Sequence, residues 1–178
     1  MIVLSGPSAS GKTEVAKLLN QKYGFERVIT TTTRKIRDGE VNHIDYHFLT
    51  VDEFKNNIVK NKFVEYTLYN GNYYGSSIDE IKDNKVIAIE PNGMKKYISL
   101  NNPTIITFYL YVDEETRFKR MLQRGDTEEN ARERIKEDRN RFTEENIPSV
   151  DFIINTKEIN AEQVCDLIYK EYLSKLKQ

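Results

Sequence analysis

The 178 residues include one cysteine, no tryptophan, four prolines and eight glycines. A single thiol excludes an intrachain disulfide and suits a reducing compartment. That thiol, Cys165, lies in the helical-looking stretch "AEQVCDLIYKEYL", where an inert, partly buried side chain is expected rather than a reactive one. No apolar run approaches membrane-spanning length, and repeats, low-complexity segments and flexible linkers are missing. An excess of one charge is missing too: 31% of residues are charged, yet Lys+Arg 27 against Asp+Glu 28 leaves a net charge of -1. That balance removes the usual electrostatic footprint of a nucleic-acid binder. Neither nucleic acid nor membrane is expected as a partner, and nothing calls for an obligate protein partner. His43 and His47 lack the company a metal centre needs and receive no role.

What is present begins almost at once. "MIVLS" is a short apolar run that opens onto "GPSASGKT", Gly6 to Thr13. Val15, Ala16, Leu18 and Leu19 then follow at helical spacing, and the pattern ends before Gly24. Strand, glycine loop and helix together form the context that makes this short motif credible. Gly6 and Gly11 permit backbone conformations and close approaches that a side chain would block. The backbone of Gly6, Pro7, Ser8, Ala9, Ser10 and Gly11 can then wrap a polyphosphate at the start of a helix, where the dipole adds positive potential. Lys12 would reach the outer phosphates and the Thr13 hydroxyl would take a place on Mg2+. A nucleoside triphosphate with Mg2+ is therefore the expected class of donor, a pattern that GTPases, motor ATPases and small-molecule kinases all share. The loop lies so close to residue 1 that a cleaved leader would remove its feeding strand, so a cytoplasmic location is expected.

Further apolar runs at Val86 to Ile89, Thr104 to Val112 and the "DFIIN" that ends at Asn155 are each followed by a helical pattern. The expectation is an α/β fold with a mainly parallel central sheet flanked by helices. The last helix should run from about Ala161 to Leu176. From Thr30 to Ser76 the grammar changes, because "FVEYTLYNGNYYGS" places two β-rich runs around Asn70-Gly71, a strong hairpin signal. This reads as an inserted subdomain of antiparallel strands, about 30-76. A second insert, about 114-145, reads as helical and densely charged, leaving a core of about 1-29, 77-113 and 146-178 within one domain. Between Arg117 and Arg141 there are nine basic and six acidic residues. Arg117, Arg120 and Arg124 share one helical face, and Arg134 and Arg141 share another.

Arg34 and Arg37 flank a polar loop followed by Tyr46. Paired guanidiniums offer forked donors to a second phosphate, and a tyrosine hydroxyl completes its coordination without added charge. Taken together, "GPSASGKT", "TTRKIRDGEVNHIDYHF", "KFVEYTLYNGNYYGSS" and "RMLQRGDT" stand in the order and spacing of guanylate kinases, and the chain resembles that family from about residue 2 to residue 156. The resemblance implies the P-loop nucleotide kinase fold and transfer of phosphate from ATP to GMP, with dGMP as a secondary substrate, in purine nucleotide metabolism. It implies that Arg34, Arg37, Tyr46 and Tyr74 grip the GMP phosphate. Glu65 would accept from the guanine N1–H and amine, while Thr30 and Ser76 lie against the base. It also implies lid arginines that close over the triphosphate, best matched by Arg120, Arg124 and Arg134, with Arg139 and Arg141 as further candidates. Asn155 would lie near the adenine ring, or serve only as a strand-end turn residue.

Two positions depart from the family. Ile36 stands where proline is usual, which loosens the loop without removing a guanidinium. Glu90 stands where aspartate is usual, and three roles stay open for it: a contact to the guanine amine, a hold on a Mg2+-bound water, or an acid at a helix start before Pro91. Two rivals also remain. One is a kinase for another small phosphate such as a ribose phosphate, against which Glu65 with Ser76 speaks. The other is an inactive guanylate-kinase-like binding module, against which the intact Lys12, Thr13 and lid arginines speak.

Overall fold

A computed structural model describes residues 1–177. Four apolar residues build β1 (Ile2–Ser5), wholly buried, and the chain then turns through the glycine loop into α1 (Lys12–Tyr23). Gly24, in the left-handed conformation, ends that helix. β2 (Glu26–Arg27), β7 (Lys85–Ala88), β8 (Ile106–Tyr111) and β9 (Phe152–Asn155) join β1 in a five-stranded sheet of order β2-β7-β1-β8-β9. Every pairing in it is parallel. α3 (Pro91–Ser99) follows β7 and α6 (Ala161–Leu176) follows β9. One core layer gathers Leu4, Leu19, Phe108, Ile168 and their neighbours between β1, β8, α1 and α6. A second sets Val3, Ile87, Met94 and Tyr97 on the other face of the sheet, under α3. β2 was not foreseen: its two residues are exposed and held by backbone pairing with β7, so no apolar pattern announces it.

The first insert is a four-stranded sheet of order β4-β3-β6-β5, with β3 (Thr31–Thr32), β4 (His47–Phe48), β5 (Phe63–Tyr69) and β6 (Asn72–Ser77). The expected hairpin is there: Asn70 and Gly71 both take positive φ, 46° and 74°, as a tight turn matched to strand twist requires. β5 and β6 run antiparallel, as do β3 and β6, but β3 and β4 run parallel. The long loop between them returns the chain to the same direction, which a hairpin could not do. α2 (Val51–Val59) opens on a reciprocal cap between Thr50 and Glu53 and buries Phe54, which stacks on Phe63 at 4.4 Å and on Tyr73 at 5.2 Å between ring centroids.

Both stalks that join this insert to the core meet at one side chain. Glu80 closes a short 3-10 turn, Ile78–Glu80. Its Oε2 accepts from the Ile29 N–H at 3.2 Å and lies 3.3 Å from Lys85 Nζ, while His47 Nε2 stands 3.7 Å from Oε1. The second insert consists of α4 (Glu114–Gln123) and α5 (Glu128–Arg141), which bury Met121, Ala131 and Ile135 against Phe118 and Ala9 of the glycine loop.

Candidate active site

The glycine loop sits where β1 ends between β7 and β8, the kind of crevice in which open parallel sheets bind ligands. Gly6 has φ +153, and a Cβ there would lie 2.4 Å from the Leu110 carbonyl oxygen, so no larger residue fits. Gly11 has φ +101 and precedes α1 without any side-chain cap, leaving the first amides of the helix open to an anion. Lys12 folds back onto the loop, donating to the Gly6 and Pro7 carbonyls. Burial lowers its pKa to about 8, with Asp138 the main opposing influence.

A cleft of about 370 Å³ lies behind the loop, and one of about 470 Å³ lies over it. The latter is lined by Ser8, Ala9, Gly11, Lys12, Thr13 and Glu14, and by Arg120, Arg124 and Arg134. Arg120, Arg124 and Arg134 are thus brought to one wall opposite the loop. Arg124 is forked onto Asp126 (2.8 and 2.6 Å) and Arg134 stands 3.9 Å from the same carboxylate. Arg120 reaches the carbonyl of Ala9 and both oxygens of Thr156. A neighbouring cleft of about 290 Å³ is floored by Ala9, Ser10 and Gly11 and walled by Arg120, Thr156, Ile159 and Asn160. Asn155, expected near the adenine ring or as a strand-end turn residue, accepts from the Lys157 N–H at 3.0 Å and stays exposed, as a turn residue does. Arg139 is forked onto Glu114, away from the loop cleft, and Arg117 is buried in a 2.6 Å ion pair with Asp138. Asp138 also accepts from the Ser8 N–H at 2.8 Å.

In the first insert, Arg34 forks onto Glu40 (3.0 and 2.7 Å), with its guanidinium carbon 5.4 Å from the centre of the Tyr46 ring and 5.7 Å from that of Phe48. Tyr74 stands 6.4 Å from Tyr46 between ring centroids, so Arg34, Tyr46 and Tyr74 form one polar corner. The Arg37 side chain is exposed nearby, and its N–H is tied to Glu40 at 2.8 Å. Glu65 follows a register shift in β5. Its Oε1 accepts from the Ser76 N–H at 3.1 Å and from the Ser76 hydroxyl at 2.6 Å. Burial raises the Glu65 pKa, and the two Ser76 bonds act against that rise. Thr30 is half-buried at the root of the insert, its carbonyl accepting from the His47 N–H at 2.9 Å.

Glu90 is the N-cap of α3, before Pro91, and its carboxylate pairs with Arg141 of α5 at 2.8 Å. Its charge is felt at Lys12. Three residues on, Gly93 brings the same helix against Glu65, where an added Cβ would lie 3.7 Å from Glu65 Cγ. The start of α3 is thus the joint between the phosphate loop and the insert. Sequence reasoning missed Glu40, Asp138, Thr156 and Ile159. Only Asp138 left a signal, as an acid at the buried position that continues the Ala131, Ile135 stripe of α5.

The guanylate kinase family model matches residues 1–171. A guanylate kinase of Fusobacterium nucleatum is 32% identical over 176 residues, covering 94% of this chain and 93% of that one. One of Clostridium acetobutylicum is 38% identical over 144 residues, 76% of this chain and 68% of that one. A crystal structure of guanylate kinase from Anaplasma phagocytophilum superimposes with a TM-score of 0.60 at 21% identity, covering 98% of this chain and 85% of that chain. With the family model matching nearly the whole length and the glycine loop, the arginine wall and the four-stranded insert present on this fold, the chain belongs to the guanylate kinase family.

Proposed function

We propose that this chain transfers the γ-phosphate of ATP to GMP, releasing ADP and GDP, with dGMP as a secondary acceptor. The observation that carries the acceptor assignment is the half-buried Glu65 held by Ser76 against α3. A carboxylate only accepts, so it pairs with the adjacent N1–H and amine donors of guanine and opposes adenine, which presents an acceptor at N1. A sugar phosphate has no such edge.

A GMP phosphate oxygen attacks the γ-phosphorus in line as the bond to the β-phosphate oxygen breaks. Arg34, Arg37, Tyr46 and Tyr74 hold the GMP phosphate, and Arg34 exchanges its Glu40 fork for phosphate oxygens on loading. Lys12 leaves the Gly6 and Pro7 carbonyls for the donor phosphates, while the amides of Ser8 to Thr13 wrap them. Arg120, Arg124 and Arg134 neutralise charge on the transferring group once the lid closes and water is excluded. Thr156 and Ile159, rather than Asn155, lie against the adenine ring.

Mg2+ takes few protein ligands and keeps water. The exposed Thr13 hydroxyl at the head of α1 fits it directly, and Glu90 fits through water. When bound, Mg2+ offsets charge on the donor phosphates. Among the described residues no helix is long and apolar enough to cross a membrane, and a cytoplasmic site of action is part of the proposal. ADP release measured with GMP, AMP, UMP, CMP and ribose 5-phosphate tests the reading. Turnover with GMP above all others is expected. Preference for any other acceptor, or no turnover beside tight phosphopeptide binding, overturns it.

A further inference from the structure

Tyr97 lies on α3 one turn beyond Gly93, on the helix face that Gly93 brings against Glu65. The residue is 1% exposed and packs with Val3, Val28, Ile87, Met94 and Ile105. Its hydroxyl finds no hydrogen-bond partner among the described residues. Phenylalanine would fill this apolar site without the desolvation cost of an orphan hydroxyl. The polar groups that act on the phenol are the Ser76 hydroxyl, which makes ionisation easier, and the Glu65 and Glu80 carboxylates, which oppose it. Burial is the dominant influence and keeps the hydroxyl protonated, hence a donor.

Ser76 is wholly buried and donates its own proton to Glu65. A serine oxygen retains two lone pairs after donating, so it can accept while it donates. We propose that Tyr97 is a positioning residue of the base site: unpartnered in the free protein, its hydroxyl donates to Ser76 Oγ once a purine is bound and so favours turning the Ser76 proton to the oxygen at position 6. The inference rests on the guanine reading of Glu65 given above. Without ligand, the Ser76 proton points to Glu65. With guanine bound, N1–H and the amine take the carboxylate, and the Ser76 proton turns to O6. Tyr97 then occupies one of the two serine lone pairs and reduces what Ser76 can offer a 6-amino group, so the site disfavours adenine at position 6 as well as at N1.

Tyr97→Phe removes only the hydroxyl. The readouts are kcat/KM for GMP, for 6-thio-GMP, whose sulfur is a larger and weaker acceptor at position 6, and for IMP, in which only the amine is lost. The variant is expected to lower the preference for GMP over 6-thio-GMP about fivefold, leaving the GMP over IMP preference within about twofold. In a Ser76→Ala background, Tyr97→Phe should leave the 6-thio preference unmoved, because the interaction runs through Ser76. An unchanged 6-thio preference in the single variant, or an equal drop in the Ser76→Ala background, overturns the inference, whatever happens to thermal stability. Wild-type turnover of GMP alongside such a result leaves the functional reading standing. Wild type without GMP turnover sinks both.

Discussion

Glu65→Gln isolates the chemistry of base selection, because glutamine keeps the size that packs against Gly93 and changes only what the tip can do. In the structure Oε1 takes both Ser76 donors, and no described residue donates to Oε2. Two neighbouring donors on guanine match a carboxylate that can still accept on both oxygens. An amide keeps one acceptor, loses the charge that strengthens it, and turns an NH2 toward the other donor. Hydrogen bonds to charged groups contribute about 1.5–3 kcal/mol each. Losing one and weakening the second costs about 3–5 kcal/mol, or roughly 100- to 4,000-fold in kcat/KM at about 1.4 kcal/mol per decade. Stability should move little, since the change also relieves the burial of a charge. The assay is steady-state ADP release over a GMP series, paired with a thermal melt. If Glu65→Gln retains GMP kcat/KM within about threefold of wild type, while folded, the carboxylate does not read the base and the argument fails.

Three other outcomes follow from named contacts. With the Lys12 pKa lowered to about 8, the free protein loses its loop charge above that pH. Its kcat/KM for ATP should then fall about tenfold per pH unit while kcat holds, because bound phosphates restore the proton; a profile flat beyond about pH 9 refutes this. Phe54→Ala should cost about 3–5 kcal/mol by denaturant melt, since Phe54 is wholly buried between Phe63 and Tyr73; a loss below about 1 kcal/mol would show that the insert collapses around the hole. Asp138→Asn should cost about 3–5 kcal/mol by leaving buried Arg117 without its counter-charge. Arg117→Met with Asp138→Leu should recover stability but not ATP affinity, because the Ser8 N–H stays unheld; recovery of both refutes the link.

The elements that carry strong periodicity were legible from residues alone. β1, α1 and the hairpin at Asn70-Gly71 each combine an apolar pattern with a glycine or turn signal that admits one conformation. β2 was illegible because exposed Glu26 and Arg27 are strand only by pairing with β7. The parallel run of β3 beside β4 was equally hidden, since two-residue strands bear no period. Within the site, residue types forecast which groups belong near phosphate but not their present partners. Nothing local in the sequence says that Arg34 rests on Glu40, or that Arg117 turns inward to Asp138 while Arg120 on the same helix faces the loop. Those outcomes depend on contacts between distant segments. Asn155 shows the same limit, since only the path of the chain after β9 decides that Thr156 lines the cleft.

The meeting of both stalks at Glu80 gives the first insert a clasp at its root, separate from the packing of β5 on α3. One carboxylate holds the incoming segment at Ile29, the outgoing turn, and Lys85 of the sheet. Chimaeras that trade acceptor modules between chains of this architecture therefore have to splice outside both ends and carry the clasp along. A graft that leaves it behind would rest on α3 with both stalks untied.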